Sequence, residues 1–329
     1  MQKSLKLASS VTKRKPAPVQ LKLRRLLVPL DFSGLSRQAL GSAVPLARKY
    51  RAKISLVHVV QPPVVLEALP GGIAYLPSNP DDLLNAAKAH LAELAARLVP
   101  RDLLDQTVVA EGNPAYEVIS TAESLKADLI VLSTNGRSGL KHVLLGSTAE
   151  RIVRHAHCPV LTVRRQPGAP AKPVYPERLP WRRILVPLDF SFTSLHAMRV
   201  AAALAEQSGA RLTLLNVVEP GPYAIGLEGA PLVLPDEVFA RNAKTQLPGI
   251  AQRFVPSSVR VTSLVRHGRA ASVIVETAEE EEIDLIVLST HGHTGLERLL
   301  MGSTAEHVVR HAKCPVFVVR KLRDSQAAS

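Results

Sequence analysis

Residues 127–150 read ADLIVLSTNGRSGLKHVLLGSTAE, and residues 283–306 read IDLIVLSTHGHTGLERLLMGSTAE. In both, a short aliphatic run ends at a serine, Ser133 or Ser289, and gives way to a glycine-spaced loop. The loop then enters a helical pattern at GSTAE. An aliphatic run with no polar alternation suits a strand buried on both faces, the habit of parallel sheets. Strand, loop and helix in succession make the repeating step of an α/β fold.

Outward from these stretches the chain matches itself. RLLVPLDFSGLSRQAL from Arg25 pairs with RILVPLDFSFTSLHAM from Arg183. GLKHVLLGSTAERIVRHAHCPVLTVRR from Gly139 pairs with GLERLLMGSTAEHVVRHAKCPVFVVRK from Gly295. A period of about 157 residues is too long for a solenoid and marks two copies of one domain. The expected divisions are a basic arm at 1–23, a domain at 24–165, a linker at 166–181, a second domain at 182–321 and a tail at 322–329. The joint, RQPGAPAKPVYPERLPW from Arg165, holds five prolines and reads as a semi-rigid spacer.

Within the first copy, strands are expected at RLLVPLD, KISLVHVV, QTVVAE, DLIVLS and PVLTVR, with helical patterns between them. The clearest helix is DDLLNAAKAHLAELAARLV, with acids first and Arg97 near its end. Asn113 is placed to cap the helix that starts at Pro114. The second copy repeats the order. The expected fold is α/β: two tandem, doubly wound, five-stranded parallel sheets, with a crevice beyond the strands' carboxyl ends.

The loop spacing is Ser133-x2-Gly136-x9-Gly146-Ser147-Thr148, with Gly139 inside it, and Ser289-x2-Gly292-x9-Gly302-Ser303-Thr304, with Gly295 inside it. Gly136 and Gly292 fall where the chain turns off a strand; Gly146 and Gly302 fall at a helix start, whose free amides and dipole favour an anion. STAE also reads as a capping box, serine capping the helix and Glu150 or Glu306 reaching back. Both readings stand at this level. The pattern is neither a Walker loop nor G-x-G-x-x-G.

Charge and composition bound the rest. The net charge is +13, and residues 1–25 hold eight Lys or Arg and no acid. The arm is expected to be a solvated extension with, at most, a weak contact to nucleic acid. Cys158 and Cys314, one per copy, suit buried small hydrophobes and a reducing cytoplasm. No apolar run reaches the roughly 18–20 residues of a membrane span.

The ordered set LVPLDFS, HVV or NVV, DLIVLS, the glycine loop and CPV, written twice, resembles the universal stress protein family and its ATP-binding loop G-x2-G-x9-G-[S/T]. The resemblance covers roughly residues 24–165 and 182–321. It implies the adenine-nucleotide α-hydrolase-like strand order 3-2-1-4-5 and an ATP site, with or without Mg²⁺, between strands one and four. Asp31 and Asp189 would then lie near adenosine, and Val59 and Val217 beside adenine. Gly136, Gly146, Ser147 and Thr148, with Gly292, Gly302, Ser303 and Thr304, would hold ribose and phosphates. It further implies that the fifth strands, from Pro159 and Pro315, pair across a dimer interface, either within the chain or in a homodimer. Gly139 and Gly295 belong to the same nucleotide-binding loop, as do Ser133 and Ser289, which stand where the motif has its first glycine; serine suits that place if the backbone is strand-like, and its hydroxyl could bond a phosphate.

Asp31 and Asp189 serve equally well as helix caps together with Ser33 and Ser191. HGH at 291–293 answers to NGR in the first copy and reads as loop variation. His155 and His311 fall at helix C-termini, where positive charge is favoured. Glu279–Glu282, four acids late in a helix, reads as a solvated face. There is no nucleophile–base pair, no carboxylate pair and no metal-ligand spacing. Three readings follow: a nucleotide-binding regulatory module, a stress protein acting through its surface and dimer interface without nucleotide, or a slow ATPase.

Overall fold

The computed structural model describes residues 21–61, 80–134, 146–164, 175–220, 224–227, 230–233, 236–290 and 301–320. Residues 1–20 of the basic arm, the HGH triplet and the middle of both glycine loops lie outside these residues.

The first repeat alternates β1 (Arg25–Pro29), α1 (Leu40–Tyr50), β2 (Lys53–Val60), α2 (Pro80–Leu98), β3 (Leu104–Glu111), α3 (Pro114–Ser124), β4 (Leu129–Ser133), α4 (Ser147–His155) and β5 (Val160–Val163). The second runs β6 (Arg183–Pro187), α5 (Phe192–Ser208), β7 (Arg211–Val218), β8 (Ala224–Leu227), β9 (Ala230–Val233), α6 (Asp236–Phe254), β10 (Val261–His267), α7 (Ala270–Glu280), β11 (Leu285–Ser289), α8 (Ser303–His311) and β12 (Val316–Val319). The β8–β9 pair is a small antiparallel hairpin that the sequence reading did not foresee. The expected helix from Ser36 divides into a 3₁₀ turn, Ser36–Ala39, and α1, which contains Pro45.

All strands except β8 and β9 join one ten-stranded sheet in the order β10-β7-β6-β11-β12-β5-β4-β1-β2-β3. Each half is parallel and has the order 3-2-1-4-5. The halves meet where β5 and β12 pair antiparallel, with Val316 opposite Thr162, Phe317 opposite Leu161 and Val318 opposite Val160. This register is symmetric about Leu161 and Phe317, the equivalent residues of the two repeats. The carboxyl ends of the two half-sheets therefore point in opposite directions at the seam.

The central strands are aliphatic on both faces because both faces are covered. One core layer, with α1, α2, α5 and α6, includes Leu46, Leu94, Leu204, Trp181 and Phe317. The other, with α3, α4, α7 and α8, includes Val118, Ile152, Ile274 and Val308. Each layer draws residues from both repeats. Leu179 and Trp181, at the end of the proline-rich stretch, are buried in the first layer. β3 and β10 lie at the sheet edges and carry the polar, partly exposed residues expected there.

Glu279–Glu282 is more than a solvated face. Glu279 meets Lys313 at 2.7 Å, Glu280 pairs with Arg266, Glu281 meets Arg266 at 3.6 Å and Glu282 meets Arg183 at 2.6 Å. These cations come from other elements and offset the run's unfavourable place at a helix C-terminus.

Candidate functional site

β1 and β4 are neighbours, with Leu26 opposite Leu129 and Leu27 opposite Ile130, so Asp31 and Ser133 leave the sheet at the same end. β6 and β11 do the same for Asp189 and Ser289, with Ile184 opposite Leu285. Order 3-2-1-4-5 reverses at these two junctions, where open α/β sheets form their crevices.

After strand one the chain turns through Phe32 at φ 65° and Phe190 at φ 63°, a left-handed conformation rare for a residue with a side chain. The aspartates hold this turn. Asp31 Oδ1 accepts from Ser33 N at 2.9 Å and Ser33 Oγ at 2.5 Å; Asp189 Oδ1 accepts from Ser191 N at 3.0 Å and Ser191 Oγ at 2.6 Å. The serines pass the effect on. Ser191 Oγ caps α5 by accepting from Ser194 N at 3.2 Å, and Ser33 Oγ accepts from Ser36 N at 3.1 Å. In the second repeat capping is thus done by serine, with aspartate positioning it; in the first the 3₁₀ turn has Leu35 as its N-cap and no side-chain cap.

Below the turn, His58 Nδ1 donates to Leu30 O at 2.7 Å, which fixes that nitrogen as protonated. In the second repeat Asn216 Nδ2 makes the same bond to Leu188 O at 2.7 Å. The Phe32 ring stacks on His58 at 3.7 Å and meets His90 edge-on at 4.6 Å. Val59 and Val217 follow in the last turn-facing residues of β2 and β7, both partly buried.

Ser133 and Ser289 are the final residues of β4 and β11, hydrogen-bonded in register with Val163 and Val319. Neither has positive φ, so serine is at ease where the family motif writes glycine. Gly136, Gly139, Gly292 and Gly295 lie outside the described residues. Gly146 N donates to Thr134 O at 2.9 Å, and Gly302 N to Thr290 O at 2.8 Å, so each loop returns to the strand it left. Both glycines have ordinary φ, near −60°. An added Cβ at Gly146 would press on Thr134 O at 3.3 Å, while one at Gly302 would lie in ordinary contact with Thr290 O at 3.4 Å.

The capping-box expectation fails here. Because glycine is drawn to the strand end, Gly146 and Gly302 are themselves the N-caps, and no side chain caps either helix. Ser147 and Ser303 become the first helical residues, one place too late to cap. Glu150 and Glu306 are instead taken by arginines, at 3.0–3.1 Å. A helix start tied to a strand end, with glycine as its N-cap and no side-chain cap among the described residues, fits an anionic group.

His155 closes α4 as expected, yet burial and then Arg154, Arg320 and Arg151 hold its pKa below the usual value. His311 Nδ1 donates to His307 O at 2.8 Å. Burial pushes the Cys158 and Cys314 thiols up to about 12. Among the described residues no group of three His, Cys, Asp or Glu could hold a metal, and no helix is long and apolar enough to cross a membrane.

Sequence reading missed the Phe32 and Phe190 turns and the pairing of Glu150, Arg154, Glu306 and Arg310. The second was signalled by an identical Glu-x3-Arg spacing in both copies.

These features define a tandem, doubly wound α/β protein with an uncapped glycine helix start beside a strand-one aspartate in each half. The sequence profile of the universal stress protein family matches residues 22–164 and again 180–320. The chain belongs to that family. It is 29% identical over 302 residues to a universal stress protein of Mycolicibacterium smegmatis, covering 90% of this chain and 96% of that one. A universal stress protein of Mycobacterium tuberculosis is 27% identical over 305 residues, with the same coverage. The crystal structure of a universal stress protein from Archaeoglobus fulgidus superposes with a TM-score of 0.65 at 22% identity, over 92% of this chain and 98% of that one.

Proposed function

We propose that the protein is a nucleotide-binding regulatory module that acts in the cytoplasm, with ATP as the ligand of one or both crevices and the two repeats joined as a pseudo-dimer. One observation carries the reading. In both repeats the helix after the glycine loop starts at a glycine, without a side-chain cap, hydrogen-bonded to the end of strand four. Such a start offers backbone amides and a positive dipole to phosphate.

Ser147, Thr148, Ser303 and Thr304 would add hydroxyl donors to the phosphates. Asp31, Val59, Asp189 and Val217 would face the nucleoside. Bound Mg²⁺ would neutralise phosphate charge, and its ligands would come from the nucleotide and water. In this reading the chain's own part is binding and orientation, with at most slow hydrolysis.

Denaturing the purified protein and identifying released nucleotide by chromatography tests this. One or two ATP per chain is the expected result. ADP accumulating on incubation would move the reading to a slow ATPase. An empty chain that also fails to bind labelled ATP would leave a surface-acting stress protein.

A further inference from the structure

α4 and α8, the two helices with glycine starts, also carry side-chain contacts between the repeats. Glu150 and Glu306 stand one turn into their helices, and Arg154 and Arg310 one turn further on. The four close a ring of alternating charge. Arg154 Nη2 lies 3.0 Å from both Glu150 Oε1 and Glu306 Oε2; Arg310 Nη2 lies 3.0 Å from Glu150 Oε2 and 3.1 Å from Glu306 Oε1. The side chains are only 24–32% exposed, so solvent screens them incompletely.

A second crossing reinforces the ring. Arg320, just past β12, donates to Val153 O at 2.6 Å and to Arg154 O, at the C-terminus of α4. Arg164, just past β5, donates to Val309 O near the C-terminus of α8 at 3.4 Å. Each helix therefore has its acid paired and its last carbonyls met by arginines of the other repeat. The arrangement is not the one that isolated helices would choose. Arg154 and Arg310 could pair with Glu150 and Glu306 within their own helices in solvent, yet here both also reach across to the other repeat, and the Nε atoms of Arg154, Arg310 and Arg320 are buried with no hydrogen-bond partner among the described residues.

From this geometry we infer that the opposite repeat tunes the anion affinity of each glycine helix start, through the arginine that shares its glutamate. The inference rests on the nucleotide reading above. Glu150 shares its helix end with the amides that a phosphate would approach, and an unpaired carboxylate one turn away would repel that phosphate. Glu150 divides its two oxygens between Arg154 of its own helix and Arg310 of the second repeat, and Glu306 likewise between Arg310 and Arg154, so losing the opposite arginine removes half of each carboxylate's compensation. Arg154 and Arg310 are thus positioning residues that do not themselves touch the ligand. Occupancy of one helix start pulls on a ring shared with the other, so the two sites are linked, and the linkage is reciprocal.

The test uses the full chain. Gly302→Val blocks the second site, and ATP titration then reads the first site alone. Adding Arg310→Gln in that background is expected to weaken ATP binding about tenfold, within the range of ordinary coupling. Arg310→Lys, which keeps the charge, is expected to restore most of the affinity. Hydrogen exchange is the ligand-free measurement. Arg310→Gln is expected to lower protection of the Glu150–Arg154 amides, the first hydrogen-bonded ones of α4, in the other repeat, while Ile130 and Val131 in β4 keep theirs and report an intact fold. ATP binding at the first site that ignores Arg310→Gln, with unchanged exchange at Glu150–Arg154, overturns the inference alone. A chain that binds no ATP in any version overturns the proposed function and the inference with it.

Discussion

Replacing Phe317 with alanine is expected to destabilise both repeats together. Phe317 is fully buried in β12, opposite Leu161 at the centre of the antiparallel seam. Removing a buried phenyl ring loses its transfer free energy and leaves a cavity, and costs about 3–5 kcal/mol. At about 1.4 kcal/mol per factor of ten, the unfolding constant should rise by roughly two to three and a half orders of magnitude. Urea denaturation would measure the loss from the fall in midpoint at unchanged slope. Trp181 is the only tryptophan and is 1% exposed at the entry to β6, so its fluorescence reports locally while far-UV circular dichroism reports globally. The two signals should shift together. Leu83→Ala, at a side chain 39% exposed, should cost under about 1 kcal/mol and serves as the control. A loss below about 1 kcal/mol for Phe317→Ala, or a Trp181 transition that stays put while the dichroism moves, would refute the argument that the seam is packed interior shared by both halves.

Two further outcomes test the backbone and the charge arguments. Gly268→Ala should destabilise by about 1–3 kcal/mol, because Gly268 has φ +130° and its added Cβ would sit 2.9 Å from Val273 Cγ2; Gly249→Ala, inside α6 with nothing within 4 Å, should stabilise by about 0.5–1 kcal/mol. Thermal melts of the two variants should therefore move in opposite directions. Alkaline pH should weaken the fold: burial raises Cys158 and Cys314 from 9.0, and Tyr50 and Tyr175 from 10.0, to about 12 in each case. The unfolded chain releases these protons first, so their contribution is complete below about pH 9 and is lost as pH climbs toward 12. A melting temperature flat across that window would contradict it, as would rapid labelling of either thiol in the native protein at pH 8.

Much of the fold was legible because its signals are local. Five aliphatic runs per copy, separated by helical periodicity and the proline-rich joint, suffice for a duplicated α/β domain. Asn113 before Pro114 announced its cap, and the structure has Asn113 Oδ1 accepting from Ala115 N at 3.1 Å and Tyr116 N at 3.3 Å. The misread features depend on distant partners. Ser147 looked like an N-cap until Thr134 O drew the start back to Gly146. Glu150 and Arg154 look like an ordinary pair within one helix until the seam brings Glu306 and Arg310 against them. Glu279–Glu282 looked merely solvated because Arg183, Arg266 and Lys313 are remote in sequence. The crevices were legible as to their place, since Asp31 with Ser133 and Asp189 with Ser289 mark the order reversal. The strained turns at Phe32 and Phe190 were not, because a left-handed phenylalanine leaves no compositional trace.

Leu161 facing Phe317 has a consequence for partner choice. A homodimer must set identical residues on its axis, so it could offer only leucine against leucine or phenylalanine against phenylalanine. One pairing would leave a void and the other would crowd. Fusing the copies allows unequal side chains to fill the axial space between them, as a knob fills a hole. The covalent link thus does more than raise local concentration: it lets each half select its sister over another chain's identical half.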